Sequence, residues 1–183
     1  MPSGLRSKRS LVVAIALAAI AVAAALIIAW TPRENGPEIT ITVTGLVEDP
    51  ITVNLANLKS RPSVTVNTEL ICVSGISSGT HNWTGVKLKD LLTDAGVQAG
   101  AIKVAFTASD YYTTDLNLSD AMRDDVLVAY LQDGSPFAEK TRLVVPGKWG
   151  YKWITDLVNI ELVDYDFLGK WERRGYSDDA IIA

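Results

Sequence analysis

Cys72 is the one cysteine and His81 the one histidine of this 183-residue chain. Cys72 closes an apolar stretch, Glu69 to Val73, and opens into the Gly/Ser segment Ser74-Gly-Ile-Ser-Ser-Gly-Thr80. A thiol at such a strand end lets the bulk of a ligand come close to the backbone. Free cysteine is also commonly a buried small hydrophobe. A thiolate binds soft or high-valent metals when other groups complete the site. A thiol-redox role would rest on Cys72 alone, with no resolving cysteine. Arg142-Leu-Val-Val-Pro-Gly-Lys-Trp-Gly-Tyr-Lys152 gathers three cations, two glycines and two aromatics around one strand exit. Glycines let backbone amides reach an anion, and Arg or Lys neutralises it. Any lone basic turn also has a plain solvated reading. His81 is either an acid–base group facing a pocket or an exposed polar loop residue.

These residues need strands to hold them. Ile39, Ile41 and Val43 alternate with threonines, as a half-buried strand requires. Ile51 to Leu55 and Ser63 to Asn67 repeat that period, and Glu69 to Val73 reads as a further strand. Val86, Leu88, Leu91, Leu92 and Ala95 follow helical spacing, with Gly96 as the C-terminal cap. Ile102 to Ala108, Val126 to Leu131, Arg142 to Val145 and Asn159 to Val163 complete the predicted strands, with a short helix near Ser119 and a turn at Asp133-Gly134. The pattern is one strand-rich α+β domain with one or two helices laid on it. The tail from Trp171 to Ala183 carries aromatics and charges without a period.

Four segments occur in a telling order: Leu70-Ile-Cys-Val-Ser-Gly75, Trp83-Thr-Gly-Val-Lys-Leu-Lys-Asp-Leu-Leu92, Ser109-Asp-Tyr-Tyr-Thr-Thr-Asp-Leu116 and Leu143-Val-Val-Pro-Gly-Lys-Trp-Gly-Tyr-Lys152. Together they resemble the molybdopterin-binding domain of the sulfite oxidase family, which includes the catalytic subunits of methionine-sulfoxide reductases. Trp171-Glu-Arg-Arg-Gly-Tyr-Ser177 is similar to the tail of its single-domain members. The resemblance implies a molybdenum–molybdopterin cofactor, with Cys72 as the protein thiolate on the metal and oxygen-atom transfer as the reaction. It implies that Arg142 balances the pterin phosphate, and that Lys148, Gly150 and Lys152 border the cofactor. It places Asp110 and Tyr111 in the pocket wall, where residue type makes Tyr111 a hydrogen-bond donor toward the metal's oxygen ligands. Thr155 falls where family members commonly carry a lysine and brings a hydroxyl without charge. The family's extended pterin-gripping segment has no counterpart before the strand at Glu38. A fold that binds another anion or a partner without catalysis is the alternative.

Residues Leu11 to Trp30 form an apolar run free of charge, Gly and Pro, preceded by Arg6, Lys8 and Arg9. At about 1.5 Å per residue such a run crosses the hydrocarbon core of a bilayer. The expected layout is a basic cytoplasmic stub (1–10), a membrane anchor (11–30), a linker (31–37) and an extracytoplasmic domain (38–183). A cleaved signal peptide is the other reading, with Ala23 to Ala25 as small residues. The 17 Lys and Arg against 21 Asp and Glu give −4 overall; setting aside Arg6, Lys8 and Arg9 leaves 14 against 21, or −7. That balance disfavours nucleic acid. The expected partners are a small oxyanion or sulfoxide substrate, membrane lipid around 11–30, and a membrane cytochrome or quinone-linked electron carrier.

Overall fold

Two sheets supply the frame in the computed structural model, which describes residues 39–136 and 141–182. The predicted anchor and linker lie outside the described residues. Among the described residues no helix is long and apolar enough to cross a membrane.

The first sheet runs β2-β1-β9-β5-β6, built from β1 (Thr40–Gly45), β2 (Ile51–Asn54), β5 (Lys103–Ala108), β6 (Thr113–Asn117) and β9 (Leu157–Val163). Its pairings are antiparallel except β1 with β9, where Val43 faces Ile160 in a parallel register. The second sheet is fully antiparallel and runs β3-β4-β7-β8: β3 (Val64–Ile71), β4 (Ser77–Lys87), β7 (Leu127–Gln132) and β8 (Arg142–Val144). One buried cluster draws on both sheets, including Ile41, Val43, Phe106, Leu127, Leu143 and Ile160. Helix α2 (Leu88–Ala95) adds Leu88, Leu91, Leu92 and Ala95, the stripe its spacing predicts, and stops at left-handed Gly96 (φ 72°).

The structure redraws four expectations. The stretch after Asn54 turns into helix α1 (Leu55–Ser60), because Asn54 and Asn57 form a reciprocal capping box. The two strands expected at Ser63 to Asn67 and Glu69 to Val73 are one, β3, since Thr68 pairs with His81 and the ladder continues. The expected Gly/Ser loop is mostly the first half of β4. Its residues need no apolar alternation, because both faces of that half are largely open to solvent. The polar Thr113–Asn117 is strand β6, its Thr114 and Asp115 buried against the C-terminal tail. Helix α3 (Leu118–Ala121) lies where a short helix is expected.

Candidate functional site

Cys72 stands at the corner of the β3–β4 hairpin. Its N–H donates to Ile76 O at 2.8 Å, and its carbonyl accepts from Gly75 N–H at 2.8 Å. The backbone is clamped on both sides while the thiol stays exposed. Hydrogen bonds from the Ser74 side chain, then from the Ser74 and Val73 backbone, hold the thiol below its ordinary pKa of 9.0, and burial opposes them only weakly. The corner therefore favours a thiolate.

The sulfur opens into a cavity of about 560 Å³. The hairpin contributes Leu70, Val73, Ile76, Ser77 and Ser78. The turn after β8 contributes Gly150, Tyr151, Trp153, Ile154 and Thr155, and the far side is Asp110 and Tyr112 with Trp171 and Tyr176 of the tail. Gly150 sits against the Cys72 strand end; a Cβ there would lie 3.1 Å from Ile71 O and 3.7 Å from Cys72 Cα. The aromatic wall interlocks edge to face, with Tyr151–Tyr176 at 5.7 Å and Trp171–Tyr176 at 5.1 Å. Tyr112 Oη donates to Tyr151 O and Tyr151 Oη to Ser177 O, both at 2.6 Å. Burial, and then the Glu172 carboxylate, raises the Tyr112 phenol, and the same two causes push Tyr151 up to about 12. Both phenols therefore stay protonated as fixed donors.

The predicted residues divide between this cavity and its surroundings. Cys72, Asp110, Gly150 and Thr155 line it together. Tyr111 does not. Its backbone takes the left-handed φ of 66° and leaves the ring 87% exposed. Tyr112 faces the cavity instead, and Asp110 Oδ1 accepts its N–H at 2.9 Å. Arg142 is bridged to Thr155 across an antiparallel pair, which puts both side chains on one face, and its guanidinium lies 5.6 Å from the Trp83 ring.

Lys148 and Lys152 border the cavity in sequence, yet both side chains are buried away from it. Lys148 Nζ reaches Asp120 at 2.6 Å and Asp179 O at 2.8 Å. Lys152 Nζ reaches Glu172 at 2.7 Å and Asp115 at 3.2 Å. Lys103 joins this cluster through Asp115 at 3.1 Å, Asp178 at 2.7 Å and Asp166 at 2.6 Å. Burial works against the Lys103 ammonium, but the three carboxylates overcome it and hold its pKa above the ordinary value. Desolvation raises Asp115 in spite of Lys152 and Lys103. The cluster fastens the tail to β5 and β6, and so sets Trp171 and Tyr176 in place.

His81 is held outside the cavity. Its Nδ1 meets Asp133 at 2.7 Å and its Nε2 meets Ser78 O at 2.9 Å, so both nitrogens face acceptors. Asp133, followed by Ser78 O, raises its pKa above 6.5. An imidazolium so engaged is a clasp on the cavity lip rather than a base.

A thiol-bearing hairpin corner over an aromatic-walled cavity can be set against known proteins. The model described as the oxidoreductase molybdopterin binding domain matches residues 28–171. The chain belongs to that family. It is 31% identical over 140 residues to the uncharacterized oxidoreductase YuiH of Bacillus subtilis, covering 74% of this chain and 71% of that protein. It is 29% identical over 160 residues to the protein-methionine-sulfoxide reductase catalytic subunit MsrP of Gluconobacter oxydans, but spans only 50% of it. The crystal structure of the sulfane dehydrogenase SoxCD from Paracoccus pantotrophus shares the fold at a TM-score of 0.65 and 22% identity, over 69% of this chain and 38% of that one. The strand-rich α+β architecture is therefore that of the molybdopterin-binding domain.

Membership points to the molybdenum–molybdopterin cofactor, and the residues present fit it. The cavity has the volume of a site for a compact organic ligand. It offers one lowered thiol and flat aromatic faces. Gly150 leaves open the space that a Cβ would fill beside the Cys72 strand end. Among the described residues no group of three or more His, Cys, Asp and Glu side chains is placed to hold a metal. A metal at Cys72 thus takes its other ligands from the cofactor. The wall residues that the sequence reading passed over are Tyr112, Tyr151, Trp153 and Tyr176 with Trp171. The last two belong to the tail motif Trp171 to Ser177, which was the available signal.

Proposed function

We propose that this protein is an extracytoplasmic oxidoreductase, tethered by Leu11 to Trp30, that carries out oxygen-atom transfer with Cys72 as the thiolate ligand of molybdenum. The observation that carries the reading is the lowered Cys72 thiol opening into the 560 Å³ cavity against Gly150. When bound, the molybdenum–pterin centre supplies two-electron chemistry coupled to oxygen transfer. The chain's own residues bind, orient and enclose. Cys72 binds the metal, and Ser74 keeps the sulfur anionic. Arg142, beside Thr155, balances the pterin phosphate as a guanidinium suits. Tyr112 and Tyr151, fixed through their hydroxyls, hold the aromatic wall and exclude water from the sulfur. Asp110 caps the turn that sets Tyr112. Substrate is a small oxyanion or sulfoxide, and electrons pass to or from a membrane cytochrome or quinone-linked carrier kept near by the tether.

The test is metal and pterin analysis of membrane-extracted protein from a cofactor-competent host. Molybdenum and pterin are expected near one per chain. Cys72→Ser is expected to keep the fold and lose the thiolate-to-metal absorption and nearly all turnover. Absence of both components, or full activity in Cys72→Ser, overturns the reading. A second reading follows from the charges: among the described residues no Lys or Arg side chain lines the cavity. On that reading the domain has given up the cofactor and binds another ligand. It predicts purification without molybdenum, no dye-linked turnover, and thermal stabilisation by a ligand other than a pterin.

A further inference from the structure

The reading above leaves the substrate as either an oxyanion or a sulfoxide, and the charges around the cavity distinguish the two. We propose that the cavity takes a neutral sulfoxide with an apolar substituent and rejects oxyanions, with Asp110 setting the rejection. The inference rests on the oxygen-transfer reading. Asp110 is the only charged side chain among the described lining residues. The nearby cations are committed elsewhere: Lys148 to Asp120 and Asp179 O, Lys152 to Glu172 and Asp115, and Arg142, over Trp83, to the cofactor phosphate. An oxyanion entering here would shed its water and meet a carboxylate in place of a cation, which is doubly unfavourable.

The surroundings of the sulfur favour the other class. Leu70, Val73 and Ile76 flank Cys72, and Val73 and Ile76 are 43% and 71% exposed at the mouth. With Trp171 and Tyr176 opposite, they present apolar surface that a bare oxyanion cannot use. A sulfoxide carries a strong dipole without net charge. Its organic substituent gains from that surface, while the Thr155 hydroxyl offers its oxygen a donor. The reaction balances as R₂S=O + 2 e⁻ + 2 H⁺ → R₂S + H₂O. The S–O bond breaks, sulfur is reduced, and the oxygen leaves in water with two protons from solvent. A one-electron donor such as a reduced viologen dye supplies the two electrons in turn.

The experiment uses the cofactor-loaded protein and two readouts. Tryptophan emission, reported by Trp153 and Trp171 in the wall, follows binding of a methyl alkyl sulfoxide series, sulfite and nitrate. Viologen oxidation follows turnover with the two that accept electrons, the sulfoxides and nitrate. Sulfoxide affinity is expected to rise roughly three- to fourfold per added methylene. Sulfite and nitrate are expected to bind at least about tenfold more weakly than the best sulfoxide at low salt. Asp110→Asn, which keeps the cap on Tyr112, should narrow that gap by roughly three- to fivefold with sulfoxide affinity unchanged. Ile76→Lys, at an exposed position, should narrow it from the mouth. Oxyanions binding as tightly as sulfoxides, or a gap unmoved by both substitutions, overturns the proposal. Faster turnover of nitrate than of any sulfoxide also overturns it but leaves oxygen transfer standing. The binding preference without turnover of any substrate supports the charge selection and sinks the oxygen-transfer reading.

Discussion

Tyr151 and Lys152 are neighbours in sequence and face opposite environments. Tyr151 looks into the cavity, whose described lining holds one thiol, one carboxylate and no cation. Lys152 looks into a buried cluster where two lysines meet Asp115, Asp178 and Glu172. The 3₁₀ turn Gly150–Lys152 is the partition between them. Charge in this domain is therefore spent on the scaffold behind the wall, while the wall relies on hydrogen-bonded phenols, stacked rings and a single sulfur. A lysine in a loop that borders a site is not a site cation by position alone. Here the lysines hold the tail that completes the site.

Removing a cluster charge breaks this comparison most severely. Lys152→Met leaves Glu172 and Asp115 buried without their ammonium, and losing one partner of a buried ion pair costs about 3–5 kcal/mol. Denaturant unfolding should register that loss, and Trp171 emission should shift to the red as the tail leaves β5 and β6. A loss below about 1 kcal/mol would mean that the cluster does not hold the wall.

The two glycines on either side of the partition sharpen the contrast. A Cβ on Gly169 would lie 2.5 Å from Thr114 Cα and 2.6 Å from Glu172 Oε2, deep in the cluster. Gly169→Ala should cost about 3 kcal/mol by overpacking. The same change at Gly150 meets Ile71 O at 3.1 Å, so the strand end gives by a few tenths of an ångström. Gly150→Ala should cost only about 1 kcal/mol, while the fraction of protein that retains molybdenum falls. Equal losses of stability at the two positions would erase the distinction between packed scaffold and adaptable site.

The division also explains what the sequence revealed. Period-two runs such as Ile39 to Thr44 and the helical stripe Leu88 to Ala95 declared themselves, because each buries one face. Cys72, Asp110, Gly150 and Thr155 were legible through motif order, and the cavity brings them together. Thr113–Asn117 hid as a strand because Asp115 is buried by ion pairing, which composition reads as surface. The orientation of Lys148 and Lys152 hid for the same reason: their partners Asp120, Glu172 and Asp178 are 26 to 58 positions away in the chain. The exchange of Tyr111 for Tyr112 turned on one backbone angle, and no residue period encodes a φ of 66°.

The smallest effect belongs to the charge pair at the cavity lip, where solvent screens what burial magnifies in the cluster. His81 bridges Asp133 and Ser78 O, and Ser78 lines the cavity. His81 has its pKa raised from 6.5, so its contribution is complete below that value and fades as pH climbs through the folded-state pKa. Asp133 is lowered from 3.8, first by the Asn82 N–H and then by His81, so its share is present above 3.8 and fades as pH falls through its folded value. The clasp is therefore strongest between about pH 4.5 and 6. In that window His81→Gln should lower the Tm by about 1–2 °C, as an exposed pair allows. The difference should shrink above neutral pH, where the wild-type imidazole is losing its proton. Thermal unfolding across pH 4 to 9 checks this. A deficit that stays constant to pH 9 would assign His81 to packing on Trp83, 5.8 Å away, rather than to charge.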